Sequence, residues 1–148
     1  MSSRLLSMGI GLLAVALLGA CSDIPLRQRE AATRDRYLQY AGAPIDSFTW
    51  LGRYDSWTAI DKYQVVVWTN INDAYLITVE PPCEDLMFAN RIGLTQTAHT
   101  VNRRFDFVTT RHWKCMIKEI RPINYLKMKQ DARAAREAAK AQPEPRKE

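Results

Sequence analysis

Histidine, cysteine and glycine are scarce in this chain, and each scarcity removes a class of chemistry. Two histidines, His99 and His112, and three cysteines, Cys21, Cys83 and Cys115, are the whole stock of imidazole and thiolate ligands. No Cys-x-x-Cys occurs and neither histidine lies at ligand spacing to a cysteine, so no zinc pattern and no cofactor is implied. The only Gly-x-Gly, Gly9-Ile10-Gly11, sits inside an apolar N-terminal run, which leaves no glycine-rich loop to cradle a phosphate. Beyond residue 20 no segment stays apolar long enough to hold a bilayer. A surplus of one charge is also missing where a core would lie, because residues 44–126 carry nine basic and nine acidic side chains. The formal net charge of +5 arises elsewhere, chiefly from residues 127–148 with seven basic and four acidic groups. A neutral core offers no basic stripe, so nucleic acid is not an expected partner.

What is present begins with the leader. Arg4 precedes an apolar run from Leu5 to Ala20, 16 residues long, that closes on small residues. It is shorter than the roughly 18 residues that mark a spanning helix and has the layout of a secretion signal. Leu18-Gly19-Ala20-Cys21 resembles the lipobox of bacterial lipoproteins. The resemblance implies cleavage before Cys21, diacylation of its thiol and acylation of the new amino group. One acyl chain holds only marginally, at about 0.8 kcal/mol per buried methylene, whereas three make attachment effectively permanent. A transmembrane helix, and an ordinary cleaved signal with Cys21 incidental, are the competing readings. Ser22 is not the aspartate that resembles an inner-membrane retention signal, so the expected place is the outer membrane, facing the periplasm.

Residues 1–20 thus read as a signal peptide, 21–27 as a tether held extended by Pro25, and 28–126 as a single domain. Residues 127–148 read as a basic, alanine-rich helical arm with a disordered end. Within the domain, Gln28 to Ala41 has the composition of a helix ending at Gly42. From Phe48 onward aromatic and β-branched residues alternate with turn residues, which predicts strands near 50–60, 63–69, 74–80, 92–96, 101–110 and 113–121. Tyr63 to Thr69 is apolar on both alternations and should be covered on both faces, with Asn70 to Asp73 turning it into a hairpin with the next strand. Leu86 to Ala89 fits one helical turn, and Arg121-Pro122 should close the sheet. The arm carries a stripe of Tyr125, Met128, Ala132, Ala135 and Ala139, whose alanines bury too little area to add much to core stability. The expected class is α+β, a mostly antiparallel sheet of about six strands curled toward a barrel, with an N-terminal helix and a helical arm.

Cys83 and Cys115 are the two cysteines left after the lipid-bearing one, and an oxidising compartment favours a disulfide between them over a metal pair or a reactive thiol. Candidates for chemistry are few. His99 and His112 lie in polar stretches, and the neighbouring Glu84 and Asp85 read as a cap for a short helical turn. Asp106, between Phe105 and Phe107, should lie on the opposite strand face from both rings; if buried it needs a partner, with Arg53, Arg104 and Arg121 available for a structural ion pair. Trp50, Tyr54, Trp57, Tyr63, Trp68 and Tyr75 crowd three successive strands and read as core before they read as a sugar or peptide groove.

The ordered pieces Trp57-Thr58, Val66-Val67-Trp68-Thr69, Ala74-Tyr75-Leu76, Cys83-Glu84-Asp85-Leu86, Ile92-Gly93-Leu94-Thr95, Phe105-Asp106-Phe107-Val108 and Cys115 to Pro122 resemble a family of small proteobacterial lipoproteins described only as a domain of unknown function. The resemblance spans about residues 48–124 and implies the same lipid anchor and cysteine pair. It supplies no activity and no catalytic residue. The expected role is a non-catalytic binding or scaffolding module that meets an envelope protein, a glycan or an anionic lipid through its sheet or arm. The alternative is a small envelope hydrolase using Asp106 with His99 or His112.

Overall fold

The computed structural model describes residues 25–141; the expected signal peptide, Cys21 and the tail from residue 142 lie outside them. Helix α1 (Leu26–Leu38) is followed by strands β1 (Ser47–Thr49), β2 (Ser56–Asp61), β3 (Gln64–Trp68) and β4 (Ala74–Val79). A 3₁₀ turn (Leu86–Phe88) precedes β5 (Gly93–Leu94), β6 (Thr100–Asn102), β7 (Phe107–Thr109), β8 (Lys114–Ile123) and helix α2 (Tyr125–Ala141). Six strands form one antiparallel sheet in the order β2-β3-β4-β8-β7-β5, while β1 pairs separately with β6. The class is α+β with the sheet curved into a half-barrel, as the sequence pattern predicts.

Strand β8 accounts for much of the curvature. Its first half pairs with β7 and its second half with β4, and the register against β4 slips where Thr78 faces Glu119 but Val79 faces Ile117. Lys118 is the extra residue of that bulge, and a bulge bends its strand and sharpens the twist. The burial phase changes across it: Cys115 and Ile117 point into the main core, and after the bulge Ile120 does, three positions on from Ile117, while Ile123 faces the opposite side.

Strand β3 is covered on both faces, as its apolar alternations require. Val65 and Val67 join the main core with Ile77, Val79, Leu86, Val101, Val108 and Ile117. Val66 and Trp68 face the other way, into a second cluster with Tyr37 from α1 and Ile60, Leu76 and Ile123 from the sheet. The β3–β4 turn is held by Asn70, whose Oδ1 accepts from the Asn72 and Asp73 amides at 2.8 and 2.9 Å. The disulfide expected of Cys83 and Cys115 is formed, with Cα atoms 5.7 Å apart.

Three strand expectations are corrected. The predicted strand at 50–60 begins only at Ser56, because Gly52 adopts a φ of 82° and breaks the extended run. The predicted strand at 101–110 is two strands, β6 and β7, parted by a turn in which the Phe105 and Asp106 amides both return to the Asn102 carbonyl. The last strand does not stop at Pro122 but runs to Ile123. The Pro122 carbonyl accepts from Gly42, so the missing amide of Pro122 faces the irregular segment 41–45 and not the ladder with β4.

Helix α2 is docked through its first turns. Tyr125 and Met128 pack on the second cluster, and Tyr125 meets Trp68 edge-on at 5.5 Å. The Tyr40 hydroxyl donates to Asp131 at 3.0 Å, and Lys129 reaches the Ile71 carbonyl at 3.2 Å. The bond to Asp131 raises the pKa of the Tyr40 hydroxyl, and the contact is lost as pH rises through that elevated value. From Ala132 to Ala141 every residue is exposed, so Ala132, Ala135 and Ala139 cover nothing. The boundary expected at 126/127 therefore divides a docked segment. A chain ending after Asp131 should unfold like the full chain, whereas one ending at Leu126 should lose about 1–2 kcal/mol with the burial of Met128 and two anchoring hydrogen bonds. Denaturant midpoints of the two truncations test this, and equal midpoints would show that the first turns add nothing.

Candidate functional site

Asp106 is the buried charged residue of the described chain, only 4% exposed. One carboxylate oxygen accepts from the Thr95 hydroxyl at 2.7 Å and the other from the Asn102 amide at 2.8 Å. Thr95 Oγ1 in turn accepts from the Phe107 amide at 2.8 Å. The expected partner was an arginine, and the structure supplies a hydroxyl and a backbone amide instead. Arg121 pairs with Glu119 and Arg103 with Asp46, while neither Arg53 nor Arg104 has an ion pair among the described residues. The Arg103 guanidinium, bonded to Asp46 at 2.6 Å, lowers the pKa of that carboxyl below its usual value. Asp106 holds the β6–β7 turn together by satisfying donors that the turn would otherwise bury unpaired.

The structure does not gather the histidines around this carboxylate. His99 and His112 are both exposed, and neither hydrogen-bonds Asp106. His99 shares with Ala98 a two-residue turn between Thr97 and Thr100, both at positive φ, 59° and 48°. Its carbonyl accepts from the Trp50 amide at 2.7 Å. The aromatic cluster divides as a core does: Trp50 and Trp68 are buried, and Tyr54, Trp57, Tyr63 and Tyr75 pack partly buried on the main cluster.

A cleft of about 640 Å³ opens at the β5–β7 edge of the sheet. One wall is the segment after the disulfide, with Asp85, Phe88, Asn90 and Arg91; the other is the β7–β8 turn, with Arg111 and His112. Two features fix the walls against each other. Cys83 lies just before the first wall and Cys115 just after the second, so the disulfide staples both. At the floor Gly93 pairs with Thr109, and a Cβ on Gly93 would come within 2.6 Å of Thr109 Oγ1. A side chain at position 93 would therefore force Thr109 to shift.

The chemistry of the cleft is basic with an apolar edge. Arg91 and Arg111 carry no ion pair among the described residues, and Asp85 is the acidic group facing them. Phe88 is 85% exposed although its neighbour Leu86 is fully buried. A pocket of this size with a few polar groups suits recognition of a small ligand. Among the described residues no group of three or more His, Cys, Asp or Glu side chains is placed to hold a metal ion.

Sequence reasoning singled out His112 and Asp85 but not Arg91, Arg111 or Phe88. The string Leu86-Met87-Phe88-Ala89 reads as packing, and the helical turn it forms puts Leu86 inward and Phe88 outward. The two arginines stand about twenty positions apart, and nothing in their local context marks them as neighbours.

The chain belongs to a family of unknown function, DUF6491, which matches residues 4–142. The match takes in most of residues 1–20, Cys21 and helix α2, and is thus longer than the stretch of 48–124 that carries the resemblance in sequence. No curated protein and no solved structure matches the chain.

Proposed function

We propose that the protein is a lipid-anchored lipoprotein of the bacterial envelope, held at the outer membrane and facing the periplasm, whose domain is a non-catalytic binding module. The observation that carries the binding role is the stapled cleft, where two arginines with no ion pair among the described residues and an exposed phenylalanine share one opening. The anchoring role rests on Leu18-Gly19-Ala20-Cys21 at the end of the apolar run. Among the described residues no helix is long and apolar enough to cross a membrane.

Cys21→Ala should abolish fatty-acid labelling and move the protein from the membrane pellet to the soluble fraction. An unlabelled variant that stays with the membrane would overturn the anchor. For the binding role, a photoreactive amino acid placed at position 88 in intact cells should form an envelope adduct that the same group at Leu51, also exposed, does not. Equal or absent labelling at both positions would remove the cleft from the function.

A further inference from the structure

We infer that the cleft takes a ligand in which an oxyanion, carboxylate or phosphate, is joined to an apolar group. The inference rests on the binding reading above and names the chemistry of that same site. Its first support is charge: Arg91 and Arg111 come from opposite walls, one before β5 and one in the β7–β8 turn, and outnumber the single carboxylate of Asp85. Guanidinium groups present planar donor forks that match carboxylate and phosphate oxygens. Among the described residues neither cleft arginine has an ion pair, so both forks are open to a ligand.

The second support is Phe88. Its ring stands in solvent at the mouth of the cleft while Leu86 and Ile92, on either side in sequence, are buried. A large exposed ring lining the same opening as the two arginines offers an apolar contact to whatever they hold. The third is rigidity. The disulfide and the Gly93–Thr109 approach fix the two walls before any ligand arrives, which lowers the ordering cost of binding. Asn90, Thr109 and Thr110 add neutral hydrogen-bonding groups to the lining.

The test uses the full acylated chain in zwitterionic detergent, labelled with ¹⁵N, and titrates four probes at low salt. Benzoate and phenyl phosphate each combine an oxyanion with a ring, and whichever binds more tightly identifies the preferred oxyanion. Acetate has the charge alone, and benzyl alcohol the ring alone. The amides of Arg91, Arg111 and His112 should shift saturably with benzoate or phenyl phosphate, and at least several-fold more weakly with acetate or benzyl alcohol. Arg91→Gln and Arg111→Gln should each weaken the better probe about tenfold, the size of one charge-assisted hydrogen bond. Phe88→Ala should bring benzoate down to the level of acetate, and spectra otherwise unchanged show that these surface variants are folded. Benzyl alcohol binding as well as benzoate, or full affinity in the double arginine variant, would overturn the inference. If no probe binds while position 88 still forms its adduct in cells, the ligand class is wrong and the binding role stands.

Discussion

Removing the Cys83–Cys115 bridge, by reduction or by paired serine substitution, is expected to lower the free energy of unfolding by about 4 kcal/mol. The bridge joins residues 32 apart, and on the chain-entropy picture an open loop of that length regains much of the freedom that the bridge denies the unfolded chain. A small domain has about 5–15 kcal/mol in all, so the loss is a large fraction. Both cysteines are also fully buried in the main core, so serine hydroxyls there add a polar cost that a paired alanine variant would not. The midpoint in denaturant should fall sharply, and its slope should rise as the unfolded chain expands. Maleimide should label neither cysteine before reduction and both after it in denaturant. An unchanged midpoint, or two reactive thiols in the native protein, would refute the account. Because the bridge flanks both walls of the cleft, its loss should also weaken probe binding under conditions where the domain remains folded.

The parts of the fold that were legible in sequence are those where one local pattern and one global requirement agree. In Tyr63 to Trp68 the apolar alternations demanded two covered faces, and the two core clusters meet that demand at Val65, Val66, Val67 and Trp68. Asn70 to Asp73 signalled a turn through Asn and Asp side chains that fold back on their own backbone, and Asn70 does so. The segment Val101 to Thr110 misled because hydrophobicity is a weak guide where a turn inverts burial. Phe105 is exposed and Asp106 buried, the reverse of what an uninterrupted strand between two rings suggests. Asn102 and Asp106 supplied the hydrogen bonds that make the turn, but their spacing of four carries no strand signal.

The cleft was the least legible element. It is built from side chains of the 85–93 segment and the 109–112 turn, brought together by the disulfide and by β5–β7 pairing. Each cause was visible singly: the cysteine pair was expected, and Gly93 lay within a predicted strand. Their joint consequence depends on sheet order, since β5 joins β7 at the sheet edge while the chain between them makes the separate β6 pairing with β1. Local periodicity contains no information on that crossing.

Asp106→Ala should cost about 2–4 kcal/mol, comparable to the loss of the disulfide but for a different reason. The substitution leaves the Asn102 amide without its acceptor and frees the Thr95 hydroxyl that orders the Phe107 amide, all within a turn packed beside the main core. Buried donors left unpaired carry their full desolvation penalty, which exceeds the net worth of the bonds themselves. Asp106→Asn separates geometry from charge. Its carbonyl oxygen can still accept from Asn102, and its amide nitrogen can donate to Thr95 Oγ1 if that hydroxyl turns its own proton away, so the expected loss is about 1–2 kcal/mol. Amide hydrogen exchange gives the local reading: in the alanine variant protection should fall first at Asn102 and Phe107, ahead of β3 and β4. Probe binding in the cleft should persist in the asparagine variant, because Asp106 does not line it. An alanine variant within about 1 kcal/mol of the parent would show that the carboxylate is dispensable to the turn, and a role for Asp106 in chemistry would then have to be sought.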